Sequence, residues 1–227
     1  MALVRLNRVA KQYQARADGS GGLKVHTRQR ITLLLAKGQQ SYLIGSAATD
    51  SRSSTAIGRT TVATAYASGT SLVVAAATDT ATYPGTTVSM TNSDIIGVEL
   101  NDGTIAYTTI SSIAGAPTIT LAGGLASAAA VGNYVWWFTS RAQRFPFISS
   151  AVLQDENRQQ TALYVYKTVE EYDQGVVDKY ADGDPTALLI EPLRLNTRVT
   201  LDAQPTDVTK QIVMTVQYPS EDYDATS

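Results

Sequence analysis

RQRITLLLAKGQQSYLIG, residues 28–45, decides how the rest of the chain reads. Ile31, Leu33 and Leu35 alternate with Thr32 and Leu34. Lys37-Gly38 then offers a turn, and Ser41–Ile44 runs back with Tyr42 and Ile44 on one face. Alternation broken by a glycine turn predicts a half-buried β-hairpin. An isolated hairpin is marginally stable and needs further strands over its apolar face. Those strands do not follow at once. A Thr/Ala/Gly-rich block comes first, and suitable partners return only after Arg141. The hairpin therefore reads as the first edge of a sheet that a second domain interrupts.

A chain of 227 residues can bury a sizeable core and hold one large or two small domains. It has no cysteine, which excludes disulfides and thiolate metal sites. The opening MALVRLNRVAKQYQ lacks the apolar core of a signal peptide, and no stretch approaches a membrane span. A soluble protein outside the classical secretory route is expected, with no membrane association. The net charge of −2 is unevenly spread. Residues 1–40 carry eight basic residues against Asp18 alone, a net of +7. Residues 41–140 sum to −3 and residues 141–227 to −6. A basic end of this kind meets an anionic neighbour, whether protein or nucleic acid, or forms a solvated helix face.

Leu3, Leu6, Ala10, Tyr13 and Ala17 make a helical stripe with Arg5, Arg8, Lys11 and Arg16 around it, ending at the breaker 18–22. Residues 46–59 read as a polar connector. From 60 to 138, strands are expected at 60–66, 72–76, 86–90, 95–100, 104–110, 118–121 and 134–138. Asn101-Asp102-Gly103 is the strongest hairpin signal, because Asp-Gly tolerates the positive φ the turn demands. Short strands with Gly/Pro turns predict a small barrel or sandwich. After Arg141, strands are expected at 162–167, 186–191, 197–201 and 207–218. Thr168 and Glu171 form a capping box for a helix over about 168–181, with Val169, Tyr172, Val176 and Tyr180 as its buried stripe. The fold class is mainly β within α+β: a β-sheet or sandwich domain with one or two helices, interrupted by a small Thr-rich barrel or sandwich. The expected domains are a basic helix and linker at 1–22, a discontinuous β-rich core at 23–59 and 139–227, and the insert at 60–138.

No chemistry emerges. The single histidine, His26, has no partners at motif spacing, and the HExxH, GxSxG and Walker A patterns are all missing. Asp178, Asp182 and Asp184 lack calcium-loop order, and Pro185 marks a helix stop instead. Glu170 and Glu171 are neighbours on a helix and do not converge on one point. No catalytic residue, metal or cofactor is expected. Trp136-Trp137 sit side by side in a strand, so they face opposite ways. One fills the barrel, and the other lies beneath the second sheet or in a subunit contact, with Phe145 and Phe147 continuing the junction. Arg5, Arg8, Arg16, Trp136, Trp137, Phe145 and Tyr218 are the candidate interface residues.

The order of segments carries a resemblance: VHTRQR at 25–30, KGQQSY at 37–42, WWFTSR at 136–141, LYVYKTVEEYD at 163–173 and QYPSEDYD at 217–224. Over nearly its whole length the chain resembles the head-to-tail adaptor (connector) proteins of short-tailed bacteriophages, also called tail tubular protein A-like or packaged-DNA stabilisation proteins. The resemblance implies a virion structural protein in the tail or neck, assembled in the host cytoplasm. It implies a ring, usually dodecameric, below the portal protein and above tail nozzle, hub or fibre proteins, through which double-stranded DNA passes. It also implies further helix on either side of the matched segments. In such a ring the +7 segment is expected to face a protein neighbour, and the acidic C-terminal region the lumen or a tail partner. The competing expectation is a carbohydrate- or receptor-binding β module of a tail spike or fibre, with an aromatic groove around Tyr134 and Trp137.

Overall fold

The computed structural model describes residues 26–45, 52–80, 87–113, 115 and 117–219. The expected N-terminal helix, with Arg5, Arg8 and Arg16, and the acidic residues 220–227 lie outside these residues. The chain is mostly β, with barrel-like sheets and one short helix among the described residues. In chain order the strands are β1 (His26–Leu34), β2 (Ser41–Ile44), β3 (Ser53–Ser54), β4 (Gly58–Thr61), β5 (Ser71–Val73), β6 (Thr78–Asp79), β7 (Val88–Ser89) and β8 (Ile95–Glu99). Then follow β9 (Ile105–Ile113), β10 (Thr118–Leu121), β11 (Tyr134–Phe138), β12 (Phe147–Gln154) and β13 (Gln160–Tyr166). Helix α1 (Val169–Gly175) precedes β14 (Ala187–Pro192), β15 (Thr197–Leu201) and β16 (Gln211–Pro219).

An eight-stranded sheet runs β2-β15-β14-β13-β12-β16-β1-β3, and a six-stranded sheet runs β4-β11-β8-β9-β10-β5. The smaller sheet is joined end to end. A Val62–Val74 bridge and the bonds from Ala63 N to Val73 O and Ala75 N to Thr61 O link its first strand to its last. Joining the ends removes the open edges that would otherwise invite pairing with other chains. The larger sheet curls as well, because Tyr42 and Ile44 of edge strand β2 share one core with Ile31 and Leu33 of β1. That core is completed by Ile212, Met214 and Val216 of β16 and by Phe145.

Residues 28–45 do not form the expected hairpin. The turn at Lys37-Gly38 exists, with Gly38 at φ +70, but the strands on either side part company. β1 takes β16 as partner over its full nine residues, from His26↔Pro219 to Leu34↔Gln211. β2 pairs with β15 on the far side of the sheet. Strict alternation fails for a related reason. Ile31 and Leu33 face the sheet's own core, while Leu34 turns the other way and is buried against Ile57, Trp136, Phe138 and Val208. A strand covered on both faces is apolar on both.

The Asn101-Asp102-Gly103 hairpin forms as the residues dictate. β8 and β9 pair antiparallel across it, Gly103 sits at φ +79, and the Asp102 carboxylate accepts from Thr104 N (2.9 Å) and Oγ1 (2.6 Å). Between β13 and β14 the pairing is parallel. A parallel pair needs a crossover, and α1 with the segment behind it supplies one. That helix is shorter than its sequence pattern predicts. Thr168 caps it, accepting from Glu171 N at 3.1 Å, but Glu171 Oε2 accepts from Lys167 N, one residue before the cap. The helix stops at Gly175, and of the expected stripe only Tyr172 and Val176 are buried; Tyr180 is 79 % exposed. β12 falls in a stretch where no strand is expected from the sequence, as do β3 and β6. No helix among the described residues is long and apolar enough to cross a membrane.

Candidate functional site

The place where both sheets meet is built around β11. Its residues pair with β4 on one side and β8 on the other, which fixes the two tryptophans on opposite faces. Trp137 points into the core of the six-stranded sheet with Val98, Ile110 and Leu121. Trp136 points outward, into the seam with Leu34 and Val208 of the other sheet. Trp136, Trp137 and Phe145 are all fully buried within one chain. Of the two places expected for the outward-facing tryptophan, beneath the second sheet or in a subunit contact, Trp136 takes the first, packed in the seam against Leu34 and Val208. Tyr218 is half-buried, its hydroxyl donating to Gln143 O at 3.3 Å, and burial raises its pKa.

Trp137 leaves no room above β4. A Cβ at Gly58 would stand 2.2 Å from the indole ring, so only glycine allows the strand and the ring to lie in contact. On the next residue, Arg59, the guanidinium rests 5.3 Å above the Tyr134 ring and donates to Glu156 O at 2.6 Å. Glu156 belongs to the β12–β13 turn, which Asp155 closes by accepting from Arg158 N and Gln159 N. Arg158 occupies this turn at φ +63, a conformation that costs a non-glycine residue about 1 kcal/mol. Its Nη2 reaches both Asp79 carboxylate oxygens at 3.0 Å, and Asp79 also accepts from Arg59 N at 2.9 Å. Asp79 is only 6 % exposed. A buried, charge-assisted bond thus ties the larger sheet's turn to β6 of the smaller unit. Nothing in the sequence order brings positions 59, 79 and 158 together. The polar run Asp155–Arg158 between two β-prone segments is the one trace of the turn.

The KGQQSY segment is likewise used internally. Gln40 Nε2 donates to Lys179 O (2.5 Å) and Leu201 O (2.8 Å), tying the β1–β2 loop to β15 and to the segment after α1. Tyr42 Oη accepts from Ala36 N at 3.0 Å and donates to Gln39 O at 2.7 Å, and burial pushes its pKa to about 12. Beside α1, the Tyr164 hydroxyl donates to Glu171 Oε1 at 2.5 Å and, with Lys167 N, holds that carboxyl below its ordinary range.

Two recesses flank the seam. One is a cavity of about 40 Å³ lined by Arg30, Arg59, Asp79, Gln154, Arg158 and Gln211 among others. The second is an open groove of about 490 Å³ with a mostly neutral polar lining that includes Gln29, Thr139, Ser140 and Gln143. Among the described residues no three His, Cys, Asp or Glu side chains gather closely enough to hold a metal ion. Asp184 instead pairs with Lys210 at 2.5 Å. The side chain of His26 lies outside the described residues. Compared with protein-family models, curated proteins and solved structures, the chain finds no match in any of the three.

Proposed function

We propose that this chain is a structural protomer of a ring, the head-to-tail adaptor of a short-tailed phage. The ring extends the DNA conduit below the portal protein and docks the next tail component. The resemblance over residues 25–224 motivates the reading, and one observation carries it further. Of the seven large apolar side chains exposed among the described residues, six fall between positions 147 and 195: Phe147, Tyr164, Val169, Val177, Tyr180 and Leu195. They belong to the eight-stranded sheet and its crossover, whereas the six-stranded unit contributes only Val131. Exposed apolar side chains on the larger sheet and its crossover give that part of the molecule apolar contacts that a subunit interface can use. A closed ring needs such asymmetry, because each subunit presents one surface to the neighbour ahead and a different one behind.

The internal use of the family-like phrases supports the same reading. Gln40, Tyr42 and Trp136 spend their contacts on holding the body together, as suits a protein that contributes shape and mating surfaces. The carbohydrate-binding alternative asks for an aromatic platform at Tyr134 and Trp137. Trp137 is 0 % exposed, and Arg59 stacks on Tyr134, which weighs against it. Negative-stain microscopy and light scattering of the purified chain, alone and with portal protein, test the proposal. Rings, or ring formation on portal, are expected. A monomer indifferent to portal, or a compact trimer that binds glycans, would overturn it. A double substitution Tyr164→Ser with Tyr180→Ser is expected to weaken ring formation while leaving the fold intact by circular dichroism.

A further inference from the structure

The cavity between the two sheets collects positive charge from three separate elements: Arg30 on β1, Arg59 on β4 and Arg158 in the β12–β13 turn. Asp79 is the one carboxylate in its lining among the described residues, and it is already engaged by Arg158 and by the backbone of Arg59. Arg59 is the telling residue. Its Nη2 donates to Glu156 O, but its Nη1 is buried with no hydrogen-bond partner. Burial first, and then the neighbouring Arg158, pull its pKa down, although Tyr134, Asp79 and Glu156 act the other way. A guanidinium stays charged at any pH the protein survives. A half-buried guanidinium beside Arg158, with one buried N–H group left unbonded, would gain from a further anion and not from loss of a proton. The cavity's 40 Å³ exceeds the space one water needs and suits a single small oxyanion. Gln211 and Gln154, joined at 2.5 Å, add polar lining of the kind that orients oxygens.

We propose that this cavity binds one phosphate-sized tetrahedral oxyanion, which braces the six-stranded unit against the eight-stranded sheet by bridging Arg59 to Arg30 and Arg158. Guanidinium forks match phosphate oxygens two at a time, which gives such a site affinity without a dedicated loop. The test uses inorganic phosphate titrated into the full chain at constant ionic strength, read by broadening of the phosphorus-31 resonance and by thermal unfolding. Saturable broadening and a saturable rise in Tm are expected. Arg59→Gln should weaken binding about tenfold or more, the loss expected for a charged hydrogen bond. The exposed Arg194→Gln should change nothing. Phosphate also stabilises proteins in general by exclusion from their surfaces. A Tm rise that never saturates and is shared by every variant, or a resonance that stays sharp, would overturn the proposal. If Arg59→Gln does not fold, Arg30→Gln provides the same reading.

Discussion

At Gly58 a single hydrogen in place of a methyl group decides whether Trp137 can occupy the barrel core. Gly58→Ala forces the indole and β4 apart, and overpacking of this kind costs about 1–3 kcal/mol. Chemical denaturation is expected to show that loss, and combining the change with Trp137→Leu should recover part of it by opening space. Tyr42 answers to pH instead. Its phenol is raised to about 12 by burial, whereas an unfolded tyrosine ionises near 10. With the folded pKa above the unfolded one, its contribution is intact below about pH 10 and is lost as the pH rises through about 12. Tyr107 is buried and shifted the same way, also by desolvation. Absorbance at 295 nm should therefore show these two phenols ionising together with the loss of β-sheet circular dichroism, and not before it. Titration at the ordinary tyrosine value in a still-folded protein would refute this.

Among the elements, the β12–β13 turn sets a local cost against a long-range tie. Arg158→Gly removes the unfavourable φ but deletes the charged bond to Asp79, a carboxylate only 6 % exposed that keeps the Arg59 N–H as a donor. Loss of one partner of a buried pair is costed at about 3–5 kcal/mol, less here because the Arg158 side chain is 28 % exposed. Net destabilisation is expected, with Arg158→Ala worse than Arg158→Gly by about 1 kcal/mol, the strain difference alone. At α1, Thr168→Ala should cost about 1 kcal/mol. The sequence states local features well. Asp102-Gly103, Thr168, and the strands Thr118–Leu121, Tyr134–Phe138 and Thr197–Leu201 are all written in their own residues. It misleads where the partner is remote. Residues 28–45 look like a hairpin because nothing local reveals that β16 is the better partner for β1. β12 is missed because FISSAVLQ faces solvent on one side near Ser149 and Ser150 and shows little alternation. Helix α1 is over-read because Val169 and Tyr180, apolar by type, are exposed. For the candidate site, Trp136 and Trp137 were visible as a pair, but the arginine cavity depends on three distant segments.

For the molecule as a whole, Leu34, Trp136, Phe138 and Val208 form the apolar joint between two cores that are otherwise separate. Trp136→Ala is expected to cost about 3–5 kcal/mol and, more tellingly, to split one calorimetric transition into two. A single transition in that variant would mean that the polar tie at Asp79 couples the cores unaided. The proposed ring then depends on the joint, since neighbours on the larger sheet can position the smaller unit only through a stiff connection. The pairing of β1 with β16 carries a further consequence for how the chain is made. During translation β1 leaves the ribosome early and waits, its RITLLL run without its main partner, until residues 211–219 emerge. The six-stranded unit, whose strands all lie between residues 58 and 138, can fold in the interval. Nascent chains stalled before Gln211 should therefore already protect Trp137 from solvent while β1 remains open to protease and to chaperones.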